Sequence, residues 1–275
     1  MQSLLATTFV AFAMAAVIHG KGLLKLRWAP TRHTWAAVTA ASLPAVFSSL
    51  ALLTPSGSLA FNLLLWVLIF GACGFAIPWG YVLLIEHRGA SALGATSHRW
   101  ALSLFLSLLF AAGSTYSLLR EVDISRYDVR HILGAVLHLN VGGLFELFLY
   151  CGFLHLRLRD AFGPLPAIAG SAALYSLWHI GTELPLHPHP AHALLMLFVV
   201  GLLCHALFAT TYNLLVIWPF FFTAGVMHDF IVDLGLPDSI GVSLGWPLLG
   251  WVLAIGVPAS IWLYSRSARL RPEDV

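Results

Sequence analysis

Charge is what this sequence has least of: 14 basic and 12 acidic residues among 275 make up 9% of the chain, where soluble proteins carry about 25%. That deficit excludes an ordinary water-soluble fold. The net charge is only +2, and no basic stripe interleaved with aromatics is present to neutralise phosphates, so nucleic acid is excluded as a partner. Cysteine is also scarce. Cys73, Cys151 and Cys204 each lie inside an apolar run, and an odd number of thiols buried in lipid builds no disulfide framework. Long polar stretches are missing too, the longest running from Arg120 to His131, which leaves no room for a soluble domain or a low-complexity tail. Lysine is nearly absent, with two against twelve arginines; together with heavy Leu and Ala usage this leans towards a GC-rich bacterium.

What is present is apolar. Hydrophobic residues make up 59% of the chain, with ten Trp and eighteen Phe, more apolar surface than a fold of this size could hide from water but all of it acceptable to lipid. Stretches long enough to cross roughly 30 Å at about 1.5 Å per residue run over residues 3–20, 35–54, 59–85, 100–119, 131–156, 165–183, 192–211, 213–233 and 244–265. The expected architecture is an all-α polytopic transmembrane bundle of eight to nine spans, forming one membrane domain over residues 1–275. Turn chemistry marks the breaks at Thr54-Pro55-Ser56-Gly57-Ser58, Gly163-Pro164, Leu184 to Pro190 and Leu236-Pro237-Asp238-Ser239. The weakest break is Thr210 to Asn213. The first span is expected to stay uncleaved, because its basic segment follows rather than precedes the apolar run.

Alternating nine spans from an outside N-terminus puts Lys21, Lys25, Arg27, Arg32, Arg88, Arg99, Arg157, Arg159, Arg266, Arg269 and Arg271 on one side, eleven of the fourteen basic residues. By the positive-inside rule that side is cytoplasmic, with the C-terminus on it. The expected location is a bacterial cytoplasmic membrane.

Ionisable groups in mid-span are costly unless paired or facing a water-filled cavity, so they are the natural functional candidates. Counting from the basic boundary at about 1.5 Å per residue, Glu146, His179 and His228 sit at roughly 16, 21 and 22 Å, on three separate helices. A carboxylate and two imidazoles converging in a dry cavity could activate a water, the Glu taking its proton and the imidazoles orienting it or meeting a developing oxyanion. The same trio could ligate zinc with an open fourth position. Both chemistries remain open from the residues alone. Asp229 is a further buried candidate, and Asp233, four residues on, lies near the opposite, wet boundary. For His138 and His205 interhelical hydrogen bonding is the simpler reading. His187, His189 and His192 form a Pro-interrupted outer-loop cluster read as solvated. The Trp and Phe residues at span ends read as interfacial anchors.

Taken in order, the segments around Glu146, His179 and His228 resemble the CPBP family of intramembrane proteases, related to the type II CAAX prenyl endopeptidase and the bacterial abortive-infection-like proteins. The resemblance covers roughly residues 130–235. The family pattern is Glu-Glu-x-x-x-Arg followed by Gly, then Phe-x-x-x-His, then His-x-x-x-Asn or Asp. Glu146 matches the first Glu and Gly152 the Gly, while Leu147 and Cys151 replace the second Glu and the Arg. Tyr175 stands for the Phe and His179 matches. Trp218-Pro219 to Met227-His228 is similar to the lead into the third motif, where Val232 occupies the Asn position and Asp229 or Asp233 is the substitute. The resemblance implies an endopeptidase in which Glu146 activates water, His179 assists and His228 helps hold the oxyanion, with Asp229, Tyr175 and Cys151 as supporting residues. It requires no cofactor, although zinc on Glu146, His179 and His228 stays open. Its substrate would be a membrane protein or a lipidated peptide within the bilayer. The replacements at Leu147, Cys151 and Val232 keep open a catalytically silent relative that binds partners. A proton-coupled transporter using Glu146 and Asp229 ranks last, since no inverted repeat is evident.

Overall fold

The computed structural model describes residues 2–55, 58–121, 140, 143–181 and 189–228, and among them every regular element is helical. Helix α1 (Gln2–His19) runs into a 3₁₀ turn, Gly20–Leu24. Helix α2 (Arg32–Ala51) starts at a capping box in which Thr31 and Thr34 satisfy each other's backbone N–H groups. Helix α3 (Leu59–Leu84) begins at Ser58, whose hydroxyl accepts from Phe61 N, and its middle, Leu63–Ala76, is wound as a π-helix. Helix α4 is Trp100–Glu121. Helix α5 covers residues 143–162 and changes from α to π winding over Phe148–His155 and back over Leu156–Phe162.

Helix α6 (Pro164–Trp178) follows a single residue, Gly163, at φ +98°, a value only glycine adopts easily, and Pro164 then presets the first turn. A Cβ at Gly163 would also run into the Lys25 carbonyl oxygen. Helix α6 tightens at its end into a 3₁₀ turn, His179–Gly181. Helix α7 (Pro190–Thr211) stops where Tyr212 turns left-handed at φ +52° and returns its N–H to Phe208 O at 2.7 Å. Asn213 caps the next 3₁₀ turn, Leu214–Val216, and α8 is Phe220–His228.

Leu4–Leu24, Arg32–Ala51, Leu59–Leu84 and Pro190–Thr211 are long and apolar enough to cross a membrane; Trp100–Tyr116 and Leu214–Gly225 are shorter apolar helices. Four described spans thus stand where the sequence reading expects eight to nine over the whole chain. Of the expected span 131–156, residues 131–139, 141 and 142 lie outside the described residues, as does all of 244–265. Phe9, Val17, Trp35, Leu53 and Phe105 are all more than half exposed, a surface that water would penalise and acyl chains accept.

Helices α6 and α7 pack together, α1 covers α7, and α2 lies against α3 and α6, so that α5 runs through the middle. Phe153, Leu154, Tyr150 and Leu149 of α5 are almost wholly buried. Helices α4 and α8 pack on each other. Small residues allow the close approaches: a Cβ at Gly74 would press on the Phe145 backbone, and one at Gly152 would strike the Leu93 carbonyl.

One end of the bundle collects the arginines. Arg27 Nη2 donates to Arg159 O at 2.6 Å, and Arg159 pairs with Asp160 at 2.7 Å while lying 4.5 Å over the Tyr212 ring. The sequence treats Arg157 as a wet boundary charge; the structure buries it. Its Nε and Nη2 donate to Glu86 Oε1 and Oε2 at 3.1 and 2.5 Å, and its Nη1 to the Ala92, Gly152 and Phe153 carbonyls. Burial pushes the Arg157 guanidinium below its usual range, and the Glu86 bonds and charge oppose that push. The helix continues past it because the charge is neutralised in place, and the pair ties the end of α3 to α5.

Candidate active site

Glu146 lies in α5 just before the π-wound segment and is 7% exposed. Its Oε1 accepts a hydrogen bond from Trp178 Nε1 at 2.6 Å and stands 3.6 Å from His179 Nε2. Two consecutive residues of the α6 end therefore face one carboxylate oxygen. Trp178 is the last α-helical residue and His179 opens the 3₁₀ turn, and although consecutive side chains diverge by about 100–120° in either winding, the two long rings lie 4.1 Å apart at 38°.

That turn is held from α2. Gly181 N donates to Ser48 Oγ at 2.6 Å, and a Cβ on Gly181 would collide with the Ser48 carbonyl, so only glycine allows the approach. Tyr150 Oη donates to Ala41 O of α2 at 3.3 Å. Tyr175 meets Tyr150 and His179 edge to face at 5.8 and 4.8 Å, and Phe70 backs Trp178 at 5.8 Å.

His179 Nδ1 is 2.9 Å from Tyr175 O. A carbonyl only accepts, so Nδ1 carries the proton, and in the neutral ring Nε2 is then an acceptor facing Glu146. A water placed between them would have an acceptor on either side. The pair is thus suited to hold and polarise one water in a low-dielectric setting.

Of the residues singled out from sequence, Glu146, His179 and Tyr175 are brought together. Cys151 is not part of that contact: its Sγ is 3.5 Å from His205 Nδ1, giving His205 the interhelical partner expected of it. His228 is the last residue of α8, and its side chain, like all of Asp229, lies outside the described residues. Trp178 is a site residue that the sequence reading does not single out, although it adjoins His179 in sequence and is 4% exposed. His155 was missed as well. It is fully buried, stacks on His205 at 5.3 Å, and neither of its nitrogens has a hydrogen-bond partner among the described residues.

No three His, Cys, Asp or Glu side chains among the described residues are grouped to hold a metal ion. A cavity of about 510 Å³ opens at the arginine-rich end of the bundle, and its lining includes neither Glu146 nor His179.

The described chain is therefore an integral membrane protein of helical class with a buried carboxylate and imidazole in contact between two helices. Residues 128–228 match the family model of the Type II CAAX prenyl endopeptidase Rce1-like proteins, in agreement with the CPBP resemblance and pointing to a protease-type hydrolase. No curated protein and no solved structure matches the chain.

Proposed function

We propose that the protein is a glutamate-dependent intramembrane endopeptidase acting on a membrane-associated polypeptide. The supporting observation is the shared focus of Trp178 and His179 on Glu146 Oε1, inside the segment that carries the family match. Glu146 takes a proton from a bound water, whose oxygen attacks the scissile carbonyl. The new C–O bond leaves a tetrahedral oxyanion, and collapse breaks the C–N bond as the proton passes to the departing amine. Trp178 holds the carboxylate in place, and Tyr175 O holds the imidazole. His179 hydrogen-bonds the attacking water, and His228 is assigned to the oxyanion. The mechanism uses no cofactor; zinc, if it participates, would take Glu146, His179 and His228. The protein is assigned to a bacterial cytoplasmic membrane, N-terminus outside, and lipidated peptides belong among the substrates to be tested.

The experiment is cleavage of a pool of membrane-derived peptides by the purified protein in bilayer discs, read by mass spectrometry, with Glu146→Gln and His179→Ala beside the wild type. Glu146→Gln keeps an acceptor for Trp178 while removing the base, so cleavage should vanish with the fold intact. Cleavage surviving in Glu146→Gln refutes the mechanism. Absence of cleavage in the folded wild type as well would favour the silent, partner-binding relative. A chelator arm, with activity unaffected, is expected to dispense with zinc.

A further inference from the structure

We propose that the cavity at the arginine-rich end of the bundle binds a phosphate-bearing anion, supplied in a bilayer by the headgroup of an acidic lipid. Its volume of about 510 Å³ is in the range of built ligand pockets, about 300–1,000 Å³, and leaves room for more than a bare phosphate. Arg32, Arg88, Arg157 and Arg159 line it against two carboxylates, Glu86 and Asp160, an excess of two positive charges.

Those charges are not equivalent. Arg157 is consumed by Glu86 and three carbonyls, and Arg159 by Asp160 and the Tyr212 ring. The guanidinium groups of Arg32 and Arg88 have no hydrogen bond or ion pair with any described residue. They are therefore the groups that an anion entering the cavity would meet. Arg88 is also close enough to Arg157 to disfavour its charge, a repulsion that a bound anion relieves.

Position selects the source. Arg32 is the first residue of one candidate span, and Ile85, also in the lining, directly follows the last residue of another. The cavity thus opens at the level where lipid phosphates lie. Leu84 and Ile85 are 67% and 49% exposed, offering an apolar flank along which an acyl chain can descend. A basic pocket between helix ends beside such a flank has the form of a headgroup site. The inference stands independently of the proteolytic reading, since the cavity includes neither Glu146 nor His179.

The test uses delipidated full-length protein in a neutral detergent, titrated with phosphatidylglycerol, with phosphatidylcholine of the same chains, and separately with inorganic phosphate, bound species being counted by native mass spectrometry. Phosphatidylglycerol should bind well above phosphatidylcholine, and Arg32→Gln/Arg88→Gln should weaken it about thirtyfold. Arg32→Lys/Arg88→Lys, which keeps the charge, should retain most of the binding and shows that loss in the Gln variant is not misfolding. Lys21→Gln/Lys25→Gln removes equal charge from the same end outside the cavity and should have little effect. Binding of inorganic phosphate alone, lost in the Arg→Gln variant, supports the site with a soluble source. Equal binding of the two lipids with no phosphate binding overturns the proposal, as does a loss that is the same in the lysine and arginine double variants.

Discussion

Replacing Glu86 by Ala strands Arg157. The two side chains are 6% and 7% exposed and share bonds of 2.5 and 3.1 Å, so water screens the pair only weakly. Exposed ion pairs contribute about 0.2–1 kcal/mol, whereas removing one partner of a buried pair costs about 3–5 kcal/mol. Arg157 keeps the Ala92 carbonyl at 2.7 Å, a neutral acceptor that does not offset the lost charge. The expected destabilisation is therefore about 3–5 kcal/mol, roughly two hundred- to five thousandfold in the unfolding equilibrium. The double variant Glu86→Leu/Arg157→Met removes both charges and should recover at least about 2 kcal/mol of that loss, because a pair deleted together leaves nothing stranded. Reversible unfolding in mixed micelles, followed by tryptophan fluorescence against mole fraction of denaturing detergent, measures both. A loss below about 1 kcal/mol in Glu86→Ala, or additive losses in the double variant, would refute the burial argument.

Trp178→Phe keeps an aromatic ring at Glu146 but removes its N–H, a bond to a charged acceptor worth about 1.5–3 kcal/mol; peptide cleavage should fall about tenfold or more, and an unchanged rate would exclude a positioning role. Gly181→Ala drives a Cβ into the Ser48 carbonyl and should lower stability by about 1–3 kcal/mol or more, seen as a lower melting temperature in detergent. Ser48→Ala strands the buried Gly181 N–H at a cost of about 1–3 kcal/mol, measurable by the same melt. Cys151→Ala should leave cleavage unchanged, because the thiol meets His205 rather than Glu146; a large rate loss would return Cys151 to the site.

Much of the helix layout was readable because punctuation residues act locally. The expected span 59–85 is observed as Leu59–Leu84 and 192–211 as Pro190–Thr211, since Ser58 and Pro190 start helices by chemistry that needs no tertiary partner. Even the weakest expected break is real, made by Tyr212 in a left-handed turn. Depth alone puts Glu146 and His179 within reach of each other, since groups at one depth on neighbouring helices can meet. Long-range pairing was not legible. Arg157 and Glu86 are 71 residues apart, and each in isolation reads as a charge at the edge of a span. Trp178 escapes notice for a similar reason: an indole shows its apolar body in composition, and its single donor only when an acceptor is placed beside it. The α-to-π and α-to-3₁₀ changes beside Glu146 and His179 carry no punctuation at all, being imposed by packing against α2 and α3.

The turn at His179 also limits how this arrangement could be moved elsewhere. Grafting Glu146, Trp178 and His179 onto an idealised bundle would reproduce the residues and lose the focus, because nothing there would hold the helix end at its present distance from the carboxylate. The portable unit is larger: it includes the tightened end of α6, the glycine that lets it touch α2, and the serine waiting there to receive its N–H. A designer would have to copy a helix ending, with its neighbour, rather than a set of side chains.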